Sequence, residues 1–402
     1  MNLIKKKNNI DQWLVVLGIF AHRLEVIFLL IILIILIYRH KTIFLSKRIL
    51  ISFAFIFITS TITISLLNYD FSFFFRQFFV IFFYFTVYNF FFQSNKNDLI
   101  NIFSKYIKIC YLVSIAGLVQ FTIYFISQLN IFSFINKASS IDGTQFSRIS
   151  SITSEPSNLA ILLTPAICYY LFTNKSLKNS ILSYKKKHFF IIFITAILTF
   201  SSIFYLIIVL MIIFKITVLK KNKLIKYISI IMIIFLGSGS LVSKQINFED
   251  YGVFKNNFTK IFQTLDNFTN LDYASFEDLN ASTFATLANL SVAVKSPNRI
   301  TGSGLGTHEQ NYLSIYPTNR GYVAKNMKDA YSMGIRIFSE FGFLGLVILL
   351  LFFIIHFNKA SLINMSVLFL LIALFLRGGN FVLYGVTFFL FMYYNTRLKN
   401  YN

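Results

Sequence analysis

The sequence is poor in charged residues, above all in acidic ones. Only 13% of its 402 residues are charged, and 15 Asp and Glu residues stand against 37 Lys and Arg residues. Hydrophobic residues make up 56%, and 51 residues are phenylalanine. A water-soluble protein of this size has too little interior to bury so much apolar surface. The composition therefore excludes an ordinary soluble domain.

Signatures of nucleotide, metal and nucleophile chemistry are also missing. The sequence has no phosphate-binding P-loop, no zinc-ligand spacing and no Ser/His/Asp signature, so we expect neither a metal nor a cofactor. Its two cysteines, Cys110 and Cys168, lie inside apolar segments, where we expect them to be small core residues. No internal repeat is present. The first apolar block, 10–38, is too long for a signal peptide and shows no clear cleavage site.

Long apolar runs dominate what is present. A bilayer crossing needs about 20 mostly apolar residues, and 49–67 is such a run. The pattern predicts an all-α, polytopic integral membrane protein with about 11–12 transmembrane helices and one large outer loop. The predicted spans are 12–38, 49–67, 72–92, 108–128, 156–173, 189–200, 202–218, 225–242, 335–357, 361–376 and 380–395.

Two of these blocks leave alternatives open. Block 10–38 contains His22, Arg23 and Glu25, so it is either one tilted helix or a hairpin that turns at these charges. Block 189–218 is too long for one comfortable crossing, and we place a break at Ser201–Ser202.

Basic residues cluster in short loops between the apolar runs. The loops 39–48, 175–187 and 215–226 are rich in Lys and Arg, which predicts that they face the cytoplasm. This distribution accounts for the formal charge of +22 and argues against a nucleic-acid partner. It predicts a multi-pass membrane protein with its other loops facing outward.

One long polar segment interrupts the membrane pattern. We divide the chain into N-terminal transmembrane helices (1–243), a large periplasmic loop (244–331) and C-terminal transmembrane helices (332–402). Within the loop, Ser282–Lys295 reads as a helix. The alternating glycines at 302, 304 and 306 predict a tight, non-helical turn after it.

Arginines near the predicted outer ends of helices are the main candidate ligand-binding residues. Guanidinium groups suit phosphate because their planar donors engage two oxygens at once. For each candidate a structural interpretation stays open. Arg336 and Glu340 are four residues apart, a spacing that fits a structural pair equally well, and Glu155 before Pro156 fits a helix start. The arginines are Arg148, Arg299, Arg336 and Arg377, with Arg76 more simply a residue that reaches lipid headgroups.

Three stretches carry a resemblance to a known family. They are RISSITSEPSNLA from Arg148, NRITGSGLGTHEQNYL from Asn298 and DAYSMGIRIFSEFGFLGLV from Asp329. Together with the hydropathy layout, these stretches resemble the O-antigen polymerases (Wzy type) of the O-antigen ligase/polymerase superfamily. The resemblance implies a metal-independent glycosyltransferase. It would join undecaprenyl-pyrophosphate-linked oligosaccharide repeat units into O-antigen, or a related polysaccharide, at the periplasmic face.

The resemblance also implies roles for individual residues. A sugar hydroxyl attacks the anomeric carbon, lipid pyrophosphate leaves, and Glu155 or His308 accepts the proton. The four candidate arginines, with Asn158, bind pyrophosphate and glycan, while Tyr312, and equally Tyr316 or Tyr322, stacks on sugar rings. Further implied partners are membrane lipids and a chain-length regulator.

Two other functions stay open at this stage. An O-antigen ligase passes finished glycan to lipid A–core, and His308 after the glycine turn is compatible with that function. A repeat-unit flippase is disfavoured, since flippases are built from roughly symmetric halves and this sequence shows no repeat.

Overall fold

The computed structural model describes residues 9–21, 24–41, 45–133, 135, 148–173, 186–219, 281–316 and 326–397. Regular structure in these ranges is helical throughout, and no strand occurs in them. The α-helices are α1 (Asn9–Phe20), α2 (Glu25–His40), α3 (Lys47–Leu66), α4 (Phe71–Ser94), α5 (Leu99–Ser127), α6 (Pro156–Phe172), α7 (Lys186–Leu198), α8 (Ser202–Phe214), α9 (Ala281–Lys295), α10 (His308–Ile315), α11 (Met333–Ile355), α12 (Leu362–Arg377) and α13 (Val386–Thr396).

The all-helical membrane class is confirmed at a coarse level. Four helices, α3, α4, α5 and α11, are long and apolar enough to cross a membrane. The predicted span 225–242 and the loop residues 244–280 lie outside the described residues. The total of 11–12 crossings, the three-part division of the chain and its orientation therefore stay predictions.

Helix α6 forms the centre of the bundle. Nearly all of its side chains are buried, and it packs against α5, α7, α8 and, most extensively, α12. A helix that is apolar on all sides belongs in such a position. Pro156 occupies its first turn, as the Glu-Pro sequence predicts. Pro165 lies inside it without an N–H to donate, and the nearby Leu162 carbonyl accepts hydrogen bonds from Tyr106 and Cys110 of α5.

The N-terminal block is a hairpin of two short helices. Asp11 near the start of α1 pairs with Arg39 near the end of α2 at 3.2 Å, so both ends of the hairpin lie on one side. Helices of 12 and 16 residues are about 18 and 24 Å long, less than the roughly 30 Å of a hydrocarbon core. Near the tip, Ile19 packs against the backbone of Gly385. The hairpin alternative for block 10–38 is therefore confirmed.

The other predicted boundaries in the described residues hold to within a few residues, with two exceptions. The helix predicted at 108–128 begins earlier, since α5 spans Leu99–Ser127 and includes Lys105 and Lys108. The break near Ser201 is confirmed, since α7 ends at Leu198 and α8 begins at Ser202. The prediction of helix from residue 380 was wrong, because α13 begins only at Val386. Tyr384 and Gly385 have φ angles of 57° and 68°, in the left-handed region that interrupts a right-handed helix.

The 281–316 segment packs on α11 through a small core of its own. Helix α9 confirms the predicted helix at Ser282–Lys295, and it contacts both α10 and α11. Phe284, Leu287 and Val292 of α9 are buried against Tyr312 of α10. This core orients the segment that carries the glycine turn and His308.

Helix α11 is broken where the 281–316 segment meets it. Gly342 has φ 63° and ψ −164°, which separates α11 into two helical parts. The exposed amides of Phe343 and Leu344 donate to the carbonyls of Arg299 and Ile300 at 2.8 and 3.0 Å. Irregular backbone is tolerated at membrane depth only where protein shields and pairs it. The 281–316 segment therefore supplies hydrogen-bond acceptors for the amides that the break in α11 leaves unpaired.

The predicted glycine turn is confirmed. Its backbone amides donate hydrogen bonds back to carbonyls of α11. Gly302, Gly304 and Gly306 have φ angles of 75°, 100° and 81°. The amide of Gly304 donates to the Glu340 carbonyl at 2.8 Å, and a Cβ on Gly302 would clash with the Glu340 backbone. The turn thus requires glycine both for its backbone angles and for its close approach to α11.

We predict that Gly302→Ala destabilises the protein by at least about 1–2 kcal/mol, because alanine resists a positive φ and its Cβ has no space. The apparent melting temperature in detergent, followed by circular dichroism, measures the effect. Gly18→Ala is the control, since Gly18 lies within helix α1 and its new Cβ would meet the Phe28 side chain at 3.2 Å rather than a backbone atom at 2.3 Å, as at Gly302. Equal melting temperatures for the two variants would contradict the prediction.

Candidate functional site

A buried ion pair lies in the first part of α11. Arg336 Nε donates to Glu340 Oε1 at 3.0 Å, which confirms the predicted pairing on one helical face. Arg336 Nη1 donates to the Gly379 carbonyl at 3.1 Å, and its guanidinium lies 4.3 Å from the centre of the Phe381 ring. Arg336 is only 1% exposed, so it is an internal, fully engaged charge.

His308 lies beside this pair with a defined tautomer. Its Nε2 is 2.9 Å from Asn289 Oδ1, while the Asn289 amide group donates to the Ala285 carbonyl at 2.6 Å. Nε2 therefore carries the hydrogen, and Nδ1 keeps a buried lone pair that meets no hydrogen-bond donor in the described ranges. Burial, and then the charge of Arg336, lower the pKa of His308 to about 3. The imidazole is neutral at physiological pH.

A network of amides and hydroxyls joins the elements around His308. Asn311 Nδ2 donates to Ser303 Oγ at 2.7 Å and to Ser339 Oγ at 3.2 Å, and the Tyr69 hydroxyl donates to Asn311 Oδ1 at 2.8 Å. The network connects the glycine turn, α10 and α11 to the turn before α4. We call these buried residues the Arg336 cluster: Ser303, His308, Asn311, Arg336, Ser339 and Glu340.

The Arg336 cluster holds opposite charges together with a neutral base. The amides of Gly306 and His308 lie near the Glu340 carboxylate, whose Oε2 makes no hydrogen bond of normal geometry with the described chain. In such a dry environment, fixed charges interact far more strongly than they do in water. The arrangement offers a proton acceptor, His308 Nδ1, beside the Arg336 guanidinium. An anion that came near Arg336 would offset its positive charge.

A second polar group, the Tyr384 cluster, comprises Ser154, Glu155, Asn158 and Tyr384. Asn158 Nδ2 donates to the Tyr384 hydroxyl at 2.6 Å and to Ser154 Oγ at 3.1 Å, and the two hydroxyls lie 2.8 Å apart. Glu155 is exposed at the start of α6, where its Oε2 accepts from Ser157 Oγ at 3.2 Å. The polar stretch before α6 is therefore paired with the turn before α13.

One short segment connects the two clusters. Between α12 and α13, Gly379 and Phe381 contact Arg336, and Tyr384 contacts Asn158. Gly379 has no room for a side chain, because a Cβ there would overlap the carbonyl of Asp329. This tight packing fixes the connecting segment between α6 and α11.

The other predicted arginines have separate surroundings. Arg377 is half-buried, donates to the Tyr331 hydroxyl at 2.5 Å and lies over its ring. Arg148, also half-buried, donates to the carbonyls of residues 199–200 at 3.0 and 3.1 Å, where it caps the end of α7. The Arg299 side chain is exposed. In the ranges that the structure covers, the hydrogen bonds and ion pairs do not bring all four arginines to one partner.

The predicted sugar-stacking tyrosines are not on an open surface. Tyr312 is fully buried, with its ring 5.5 Å from that of Tyr316 in the core between α9 and α10. This environment fits the structural interpretation of Tyr312, and in this conformation neither face of its ring is available to a sugar. Tyr322 lies outside the described residues.

Sequence reasoning missed several residues of the site. Tyr384, Asn289 and Asn311 were not among the candidates, although each supplies a central hydrogen bond. Asn289 carried a usable signal, because it is an amide among small apolar residues in a predicted helix. Nothing in the sequence around Tyr384 indicates its left-handed backbone apart from the following glycine.

Comparison with known proteins gives no relative. No family model, no curated protein and no solved structure matches this chain. The function is therefore inferred from the residues of the two clusters and from the resemblance of the three stretches.

We predict that Arg336→Met destabilises the protein by about 3–5 kcal/mol, because it leaves the Glu340 charge buried without a partner. The double variant Arg336→Met/Glu340→Gln should recover part of the loss. Arg76→Met is the control, since its pair with Glu309 is 3.7 Å long and Arg76 is 57% exposed, so about 0–1 kcal/mol is expected. A double variant less stable than the single one, by apparent melting temperature, would argue against the pair.

His308 should make stability depend on pH. Its pKa is about 3 in the folded chain and 6.5 in the reference state, so between these values the unfolded chain binds the extra proton. Stability from this group is complete above pH 6.5 and falls by about 1.4 kcal/mol per pH unit below it. His308→Gln, which keeps a donor toward Asn289, should melt with a flatter pH profile between 7.5 and 5.5. Parallel profiles would refute this assignment.

Proposed function

We propose that this chain is a metal-independent glycosyltransferase that polymerises undecaprenyl-pyrophosphate-linked repeat units into O-antigen or a related surface polysaccharide. The observation that carries the proposal is the neutral, buried His308. Its acceptor nitrogen lies beside the Arg336–Glu340 pair, where a polar segment joins a broken apolar helix. A lipid-linked sugar needs this combination of a proton acceptor, cationic groups and adjacent apolar helices.

The proposed reaction is a single displacement. The hydroxyl oxygen of the acceptor sugar forms a bond to the anomeric carbon of the donor, and the bond from that carbon to the pyrophosphate oxygen breaks. The pyrophosphate leaves with the electron pair. The hydroxyl proton passes to the exposed Glu155 carboxylate or, in a conformation that opens the Arg336 cluster to the sugar, to His308 Nδ1. Both bases stay candidates, since His308 is fixed beside Arg336 and Glu155 is exposed at the start of α6.

Binding of the donor would itself activate His308. The positive charge of Arg336 is one of the two causes that hold the pKa of His308 low. A diphosphate near Arg336 offsets that charge and raises the affinity of Nδ1 for a proton. The internal Arg336 then acts through His308, while Arg377, Arg148 and Arg299, which are more exposed, contact the phosphates and glycan.

The membrane setting supports a lipid-linked substrate. Among the described residues, four helices are apolar and long enough to cross a membrane. Exposed Phe, Leu and Ile side chains cover α3 and the part of α11 that follows Gly342. Such surfaces accommodate polyprenyl chains next to a headgroup site. The lysine-rich loops put the 281–316 segment on the periplasmic side of a bacterial inner membrane under this proposal.

Ligation to lipid A–core is the second candidate, because His308 directly follows the glycine turn. Deletion of the gene separates the two functions. Loss of a polymerase leaves core capped with single repeats, whereas loss of a ligase leaves bare core and an accumulation of lipid-linked glycan.

We predict that, if His308 is the base, His308→Gln abolishes long glycan chains in a host from which the native gene has been deleted, with a loss of about 10²–10⁴-fold in transfer rate. If Glu155 is the base, Glu155→Gln has this effect instead. Gel separation of the surface glycan measures chain length. His356→Gln is the matched control, because His356 lies at the far end of α11, where its Nδ1 bonds to the Phe352 carbonyl. A normal ladder in the deletion strain itself would refute the proposed function.

A further inference from the structure

The Tyr384 cluster has hydrogen-bond acceptors left over. Both hydrogens of the Asn158 amide are used, one by the Tyr384 hydroxyl and one by Ser154 Oγ. With the amide in this orientation, Asn158 Oδ1 receives no hydrogen bond from the described chain. Glu155 Oε1 is in the same state, while Oε2 accepts from Ser157. Asn158 is half-buried and Glu155 is exposed, so a ligand can approach both oxygens.

These acceptors select the chemistry of the ligand. A phosphate oxygen at neutral pH only accepts hydrogen bonds, and carboxylates repel it. Burial raises the pKa of Tyr384 to about 12, and the negative charges of Glu155 and Asp329 contribute to the increase. Glu155 adds a carboxylate to these acceptors, so uncharged hydroxyl groups that donate hydrogen bonds are the fitting partners.

The position of the cluster sets it apart from the cationic groups. Tyr384 contacts α6 through Asn158, whereas Gly379 and Phe381 of the same segment contact Arg336 of α11. The connecting segment thus has an acceptor-rich, negative region on α6 and a guanidinium on α11. Two ends of a transfer reaction, a neutral hydroxyl and an anionic leaving group, require two such environments.

We propose that the Tyr384 cluster is the subsite for the acceptor glycan, in which Asn158 Oδ1 and Glu155 Oε1 accept hydrogen bonds from its sugar hydroxyls. Tyr384 is the positioning residue, because its hydroxyl holds the Asn158 amide in the orientation that presents Oδ1. The inference rests on the proposed function, and it names where the neutral substrate binds.

Two variants test the proposal, each in the full chain reconstituted in nanodiscs. Tyr384→Phe keeps the ring and removes the oxygen that orients Asn158, and Asn158→Leu removes the amide itself. The probes are the host's repeat oligosaccharide, released from its lipid by mild acid, and inorganic pyrophosphate. We expect each variant to bind the oligosaccharide about tenfold more weakly, as for the loss of one hydrogen bond, with pyrophosphate binding unchanged.

The matched control is Tyr393→Phe. Tyr393 also loses a hydroxyl hydrogen bond, to the Phe353 carbonyl at 2.6 Å, but it contacts α11 rather than the Tyr384 cluster. Binding of both probes should be unchanged in this variant. In a transfer assay, Tyr384→Phe should raise the KM for the acceptor with little change in kcat, a split that general destabilisation would not produce.

The outcomes separate the inference from the proposed function. If the wild type forms polymer and binds the oligosaccharide, but Tyr384→Phe and Asn158→Leu bind it equally well, the subsite is refuted and the polymerase proposal stands. Weakened pyrophosphate binding with intact oligosaccharide binding also refutes it, and assigns the cluster to the leaving group. A wild type that neither binds the oligosaccharide nor forms polymer overturns both. If Tyr384→Phe fails to fold, Asn158→Leu decides.

Discussion

The backbone exchange between α11 and the 281–316 segment is the constraint on which the site depends. At Gly342 the helix gives up its own hydrogen bonds, and the chain from Arg299 to Gly304 supplies replacements. Unpaired peptide groups that are buried away from water would cost several kcal/mol each. The glycines that permit the approach therefore determine where His308 lies, and a helix–loop junction becomes a fixed surface rather than a variable connection.

Charge compensation is the second organising element. Arg336 and Glu340 are both excluded from water, yet their opposite charges compensate each other, and Arg336 also bonds the connecting segment. A neutral imidazole next to the pair adds no net charge. The cluster is stable without a ligand, but its electrostatic balance changes when an anion arrives. The buried Arg336 thereby influences the protonation of His308.

The sequence allowed much of the helical framework to be predicted, and the reason is physical. Apolar runs, a proline at a helix start, alternating glycines and an Arg–Glu spacing of four are local signals, and the structure reproduces them at Pro156, Gly302 and Arg336. Contacts between distant elements left no such trace. The pairing of His308 with Asn289 depends on how α9 and α10 pack, and that of Asn158 with Tyr384 on a left-handed turn 226 residues away.

The short N-terminal hairpin contacts the turn that contains Tyr384. Its two ends are fastened together by Asp11 and Arg39, and Ile19 near its tip presses on Gly385. The turn end of the hairpin therefore packs against the segment between α12 and α13. Residues near the two ends of the described chain therefore meet, and the turn that carries Tyr384 is supported by the side chain of Ile19 in α1.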